Sequence, residues 1–438
     1  MLVSALVFSL TANAIMIIRQ FLSYNSVVLS AAYAVLIPLF IYFNLRPAFG
    51  KLPVAKHQRI KNAAALLEAF LISVTGSLVI LIVSLCISAE AVFCITNSIF
   101  AVLFLSCVFW NGILRLYYAC SQLGIKWRVI GVICGWIPIV NIIVLMKMIS
   151  IAKREYMFES KKELLNSGRQ GSMICRTRYP LLLVHGVFFR DFEHFNYWGR
   201  IPKELERNGA VIFYGDQQSA LSVADSAREL ADRIERLVSE KGCGKVNIIA
   251  HSKGGLDSRW AISKLGCDKY VASLTTVNTP HRGCKFADYL LSKAGEGLRA
   301  KVSGAYNSAA RRLGDTEPDF IAAVTDLTAS ACEKINSDCP DMEGVIYKSI
   351  GSRSVTASAG RFPLNLSYLL VNHFDGPNDG LVSVDSMVWG ESFTEYKPTG
   401  SRGISHGDMI DLNRENIDGF DVRETYVQLV SELAQKGL

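Results

Sequence analysis

Apolar residues are distributed very unevenly along this chain. Five nearly continuous apolar runs occupy 2–18, 26–45, 66–88, 92–114 and 129–146. A helix that crosses a bilayer needs about 20 such residues, so the pattern predicts a transmembrane helical region over 1–150 with about five spans. From Met1 to Leu45 the only charge is Arg19, and from Ala64 to Leu114 the only charges are Glu68 and Glu90. After about Lys147 the charge density becomes that of a water-soluble domain. Residues 151–178 are polar and read as a helical linker.

From Tyr179 onward the period changes. Tyr179–Val184, Ala210–Tyr214, Lys245–Ala250 and Val271–Val277 are short apolar runs. They alternate with helical patterns at Ile201–Asn208, Val223–Glu240 and Lys253–Leu265. In the second of these helices Ala224, Ala227, Leu230, Ala231, Ile234 and Leu237 recur at helical spacing. Short buried strands alternating with helices imply an α/β domain over 179–438, with a mostly parallel sheet covered on both faces.

Composition sharpens this division. Half the residues are hydrophobic and 19% are charged, an average over two unlike parts. The net charge of +7 comes largely from basic residues beside the apolar runs: Arg46, Lys51, Lys56, Arg59 and Lys61, then Lys147, Lys153, Arg154, Lys161 and Lys162. Such flanks favour anionic lipid headgroups. No basic stripe with groove-reading elements is present, which excludes nucleic acid as the expected partner.

The first run carries Ala12-Asn13-Ala14, a signal-peptidase-like pattern. It has no basic start and its apolar residues continue to Ile18, so it reads as an uncleaved span. The basic loops at 46–63 and 115–128 place the amino terminus in the cytoplasm. Five crossings would then put the carboxy-terminal domain outside the cytoplasm, in a multi-pass protein of the cell membrane. The basic stretch 147–162 pulls the other way, and the conflict disappears if 129–146, interrupted by Gly135-Trp136-Ile137-Pro138, fails to cross. The 11 cysteines form no CxxC pair and no zinc spacing. Cys332 and Cys339 are candidates for a bridge, but the simpler reading is free thiols.

Candidate chemistry lies entirely in the second part. Ala250-His251-Ser252-Lys253-Gly254-Gly255 follows a strand and opens a helix. A serine at that sharp turn needs small neighbours two residues to either side, the nucleophile-elbow pattern with Ala250 in the first small position. The helix start behind Ser252 would help hold an oxyanion. His185-Gly186 ends the first strand, where the following loop supplies a second amide. The expected oxyanion donors are therefore the backbone N–H groups of Val187 and Lys253, and His185 itself reads as structural. Three histidines follow Ser252: His281, His373 and His406. His281, just after a strand, reads as a brace for its turn. His406, before the last helix, is the expected base. Asp379 in Asn378-Asp379-Gly380 is the candidate acid, with Asp375 as the alternative.

Residues 179–438 resemble the bacterial triacylglycerol lipases and esterases of the α/β-hydrolase fold. The resemblance rests on Tyr179–Gly186, Tyr197-Trp198-Gly199, Ala250–Gly255, Thr276–Gly283 and Asn378–Val382, in this order. It implies Ser252, Asp379 and His406 as a triad. It also implies a helical cap at about 285–336, in which Leu290, Leu291, Ala294, Leu298, Ala305 and Ala309 suit an acyl-chain cover. Many members bind calcium through an aspartate two residues after the catalytic histidine and another about twenty before the catalytic aspartate. Asp408 matches the first position. The second falls in Thr356–Gly360, which has no carboxylate, and no matching zinc cluster is present. No metal or other cofactor is expected. The resemblance thus implies a membrane-anchored serine ester hydrolase acting on lipid carboxylic esters, with the bilayer and an ester substrate as its partners. Protein partners are not legible. The alternatives are an acyltransferase with the same triad and a non-catalytic membrane sensor or scaffold.

Overall fold

A computed structural model describes residues 1–21, 25–87, 89–187, 197–293, 295–312, 315–360, 364–397 and 400–438. The chain divides into two compact units, Met1–Gly168 and Arg169–Leu438.

The first unit is helical. Helices α1 (Leu2–Phe21), α2 (Ser26–Leu45), α3 (Ala55–Cys86) and α4 (Ala91–Ala119) are each long and apolar enough to cross a membrane. Phe8, Phe40, Leu66, Ala69, Leu105 and Val108 pack between them. Neutral polar groups also bind helix to helix: Asn13 Nδ2 donates to Ser77 Oγ at 2.8 Å, Asn97 Nδ2 to Asn13 Oδ1 at 3.0 Å, and Ser73 Oγ to Ala5 O at 3.0 Å. Small and polar residues of this kind join helices in lipid, where apolar burial gives no driving force. Large apolar residues face outward instead, among them Leu78, Ile82, Ile95, Ile99 and Val102.

The fifth apolar run does not form a fifth long helix. It is divided between α5 (Gly124–Cys134) and α6 (Val140–Gly168). The break falls at the Gly-Trp-Ile-Pro interruption, and Ile139 takes φ 66°, a left-handed value that β-branched residues rarely adopt. The polar stretch 150–168 continues α6 and falls within the first unit.

The second unit is a six-stranded, all-parallel sheet in the order β2-β1-β3-β4-β5-β6. The strands are β1 (Leu181–Val184), β2 (Ile212–Tyr214), β3 (Val246–His251), β4 (Val271–Val277), β5 (Ile346–Ser352) and β6 (Ser392–Tyr396). Helices α7 (Ile201–Arg207), α8 (Val223–Lys241) and α9 (Lys253–Lys264) follow the early strands. Helices α10 (Lys285–Lys293), α11 (Glu296–Arg312), α12 (Phe320–Thr325) and α13 (Ala329–Asp338) fill the segment between β4 and β5, where a cap is expected. Of the apolar positions singled out there, Ala294 and the side chains of Leu290, Leu298 and Ala309 lie outside the described residues. Leu291 is half-buried and Ala305 exposed. Helices α14 (Leu364–Asp375), α15 (Val384–Met387) and α16 (Val422–Gln435) complete the unit.

Successive strand residues point to opposite faces of the sheet, and the two cores record this directly. Leu181 and Leu183 join Ile249, Val277 and Ile350 against α7 and α16. Leu182 and Val184 join Ile248, Ala250 and Leu274 against α8 and α9. An all-parallel sheet buried on both faces needs runs that are apolar throughout, and β1 and β4 are buried at every position. Strands β5 and β6 have no such signature in the sequence. Strand β5 contains Lys348, Ser349, Gly351 and Ser352, and β6 is a short, half-exposed edge strand.

Candidate active site

Strand β3 ends at His251 and α9 begins at Lys253, so Ser252 occupies the turn alone. Its φ of 54° and ψ of −131° lie where non-glycine residues are strained, at a cost of about 1–3 kcal/mol. Neighbouring contacts hold it there. Ser252 N donates to Val277 O at 2.9 Å on the adjacent strand. Gly254 lies so close to the His185 carbonyl that a side chain would collide with it, and a Cβ on Gly186 would sit 2.7 Å from Ser252 Cβ. The small residues of the elbow are therefore steric requirements of this turn.

His406 lies on the loop before α16. Its Nδ1 is 2.6 Å from Asp379 Oδ2, and its backbone N–H donates to Asp379 O at 2.9 Å. Asp379 is fully buried. Its Oδ1 accepts from Leu381 N at 2.9 Å and Val382 N at 2.8 Å, and its Oδ2 also accepts from Asn278 Nδ2 at 2.5 Å. A buried carboxylate with this many donors is held in one orientation. Asp375 is engaged elsewhere, accepting from Lys285 N and Phe286 N at the start of α10, both at 3.2 Å. The structure brings Asp379, and not Asp375, to His406.

Three other histidines, His185, His281 and His373, have structural partners. His281 is buried, with Nε2 2.9 Å from Thr276 Oγ1 and its ring stacked on Trp389 at 4.7 Å. His373 sits on α14 beside the Phe374 ring. His185 faces the Gly186 and Gln217 carbonyls at 2.9 and 2.8 Å.

Three partners were not singled out from the sequence. Asn278 adopts φ 48° and orients Asp379. Tyr197 OH accepts from Gly186 N at 3.1 Å and lies 2.6 Å from His251 Nδ1. The His251 ring in turn packs against the His406 ring, with centroids 4.4 Å apart. Burial, together with the nearby His406, holds the His251 imidazole well below the usual histidine range, so it stays neutral there. Both Asn278 and Tyr197 belong to the runs that carry the family resemblance, which was the available signal.

The Lys253 side chain leaves the turn and enters the interior. Its Nζ donates to Asp257 Oδ1 and Ser226 Oγ, each at 2.8 Å. Burial raises the Asp257 carboxyl to about 7 against the opposing pull of Lys253. The expected role of Lys253 is confined to its main chain.

Asp408 does not fit a calcium site. Arg402 Nη1 donates to its Oδ2 at 2.9 Å and Nη2 to its Oδ1 at 3.1 Å, while Ser405 N and Oγ each donate to Oδ2 at 2.8 Å. A guanidinium already neutralises the carboxylate beside His406. Cys332 and Cys339 are both buried free thiols, and Cys332 Sγ donates to Pro280 O at 3.3 Å.

A parallel doubly covered sheet, a strained serine between strand and helix, and an oriented histidine–aspartate pair define the second unit as an α/β-hydrolase. No family model matches the chain. It is 33% identical to a triacylglycerol lipase of Pseudarthrobacter phenanthrenivorans over 176 residues, 37% of this chain and 54% of that protein. It is 28% identical to a triacylglycerol lipase of Vibrio cholerae over 290 residues, 60% of this chain and 90% of that protein. The chain spans about half the length of the first of these relatives. The mature lipase BlEst2 of Bacillus licheniformis is a similar solved structure, 21% identical, covering 57% of this chain and 91% of that one with a TM-score of 0.43. Over the second unit the chain is thus similar to triacylglycerol lipases.

Proposed function

We propose that this protein is a membrane-anchored serine ester hydrolase acting on lipid carboxylic esters. The observation that carries the reading is the buried His406–Asp379 pair at 2.6 Å in the same unit as the strained Ser252 elbow. Ser252 Oγ attacks the ester carbonyl while His406 Nε2 takes its proton. Asp379 fixes the imidazole with Nδ1 protonated and stabilises the imidazolium. The backbone N–H groups of Val187 and Lys253 receive the tetrahedral oxyanion, a contribution of about 2.7–4 kcal/mol per donor in comparable sites. His406 returns its proton to the departing alcohol, leaving an acyl group on Ser252. A water molecule, deprotonated by His406, then releases the acid and regenerates the serine.

The four long apolar helices would hold this unit at a bilayer, where lipid esters are concentrated. The test is hydrolysis of nitrophenyl esters of increasing acyl length by the detergent-solubilised protein and its Ser252→Ala variant. Loss of hydrolysis and of fluorophosphonate labelling in the variant supports the assignment. Equal activity in both refutes it, and transfer to added alcohols in place of hydrolysis would make the protein an acyltransferase.

A further inference from the structure

We infer that residues 124–149 form a hairpin that dips into a single leaflet and returns to the face it came from. This rests on the membrane reading of the first unit, and it adds a second kind of lipid contact to the four crossing helices.

The decisive contact joins the chain before the hairpin to the chain after it. Glu155 Oε1 accepts from Ser121 N at 3.1 Å, and its Oε2 accepts from Gln122 N at 2.9 Å. A crossing segment between them would separate these residues by the bilayer's ~30 Å hydrocarbon core. Lys56 fixes which face this is. Its Nζ donates to Ser121 Oγ at 2.6 Å and lies 3.9 Å from Glu155 Oε1. The basic start of α3, the turn before α5 and the middle of α6 are therefore one cluster.

Between them the chain reverses. Ile139 has φ 66°, and Asn141 N donates to Ile137 O at 3.0 Å. Gly131 lies against Met148, where a Cβ would sit 3.0 Å from its Sδ. Residues almost equidistant from the reversal thus face each other, as antiparallel arms require. Helix α5 has 11 residues, and at 1.5 Å each this is ~16 Å, about half the hydrocarbon thickness.

The surface of the hairpin names its partner. Ile125, Val132, Ile133, Ile139, Ile143 and Met146 are exposed, and Trp136 at the tip is 89% exposed. A contiguous apolar surface of this extent is unstable in water. Lys126, Arg128, Lys147, Lys153 and Arg154 all lie towards the base, the arrangement that suits anionic headgroups above acyl chains. The occupant is therefore lipid, the acyl chains of the leaflet on the basic side. The hydrolase unit then leaves the membrane on the face of the 46–54 loop, which the positive-inside rule makes cytoplasmic. The expectation of an extracytoplasmic domain rested on five crossings, and four crossings plus a hairpin reverse it.

The test uses Lys126→Cys, Met157→Cys and, as a marker of the other face, Glu90→Cys. The full chain, with its native cysteines replaced by serine or alanine before each single cysteine is introduced, is placed in sealed vesicles of known orientation and exposed to a membrane-impermeant maleimide. Labelling of positions 126 and 157 from one face, with 90 labelled from the other, is the expected result. Labelling of 126 and 157 from opposite faces overturns it. In vesicles of acyl-brominated phosphatidylcholine, Trp136→Phe should remove a strongly quenched component of the emission. An unquenched Trp136 overturns the proposal even if the labels share a face, because the hairpin would then lie outside the bilayer. Release of the protein by alkaline carbonate would instead refute membrane insertion itself.

Discussion

The two units differ in how many ionisable groups they bury, Glu155 and Lys162 in the first against a larger set in the second. In the first, large apolar side chains face outward from α3 and α4, and the polar groups joining the long helices include the neutral Asn13, Asn97 and Ser73. In the second, apolar residues line both faces of the sheet, and the buried polar set includes Lys253, Asp257, Arg259, Asp379, His406, Asp408 and Asp411. Burying a charge is costly unless it is paired and hydrogen-bonded. Lys253 meets Asp257, Asp408 meets Arg402, and Asp411 meets Arg200 Nε at 2.7 Å. The candidate catalytic residues lie in the unit that buries the larger set of paired charges. Between the long apolar helices, Asn13, Asn97 and Ser73 join one helix to another.

The sharpest way to break this comparison is to remove the nucleophile. Ser252→Ala should lower ester hydrolysis by roughly 10⁴-fold or more while leaving membrane retention unchanged. Residual activity near wild type would move the chemistry elsewhere. Asp379→Asn should cost about 10⁴-fold in kcat by losing the correct His406 tautomer. Asp375→Ala should cost only about 1 kcal/mol of stability through the start of α10, with kcat nearly unchanged; equal kinetic losses would point to Asp375 as the acid.

A smaller effect is expected at Arg402. Arg402→Ala leaves Asp408 buried without its cation, which should destabilise the His406 loop by about 1–3 kcal/mol and lower activity. Chelators should leave the wild type unaffected, and calcium-restored activity would contradict the pairing. A further test concerns pH. Asp257 titrates near 7 in the folded chain against an ordinary 3.8. Between those values the native state holds a proton that the unfolded chain has lost, so stability should fall as pH rises from about 4 through 7 and level off above. Asp257→Asn should flatten that part of the melting-temperature profile, and an unchanged slope would refute it.

Much of the hydrolase unit is legible in its sequence because each element there is specified locally. Strand β1 is apolar at every position, α8 carries its apolar stripe, and the elbow needs Ala250, Gly254 and a serine within five residues. Strands β5 and β6 escape such reading because their stability comes from sheet neighbours and not from their own composition. Asn278 and Arg402 are similar cases: nothing in an isolated asparagine or arginine shows that it will meet Asp379 or Asp408 across a fold.

The family resemblance supplied the candidate acid and histidine. The sequence by itself determined the division into an apolar helical part and an α/β part, and the placing of a serine between a strand and a helix. These depend on periodicity and on short-range sterics, which neighbouring residues settle among themselves. Only the tertiary structure set Asp379, and not Asp375, beside His406, gave Asp408 to Arg402, and turned the fifth apolar run back on itself. Each of those outcomes depends on which distant groups a side chain meets, as when Glu155 closes on Ser121 and Gln122, and hydropathy along the chain carries no record of that meeting.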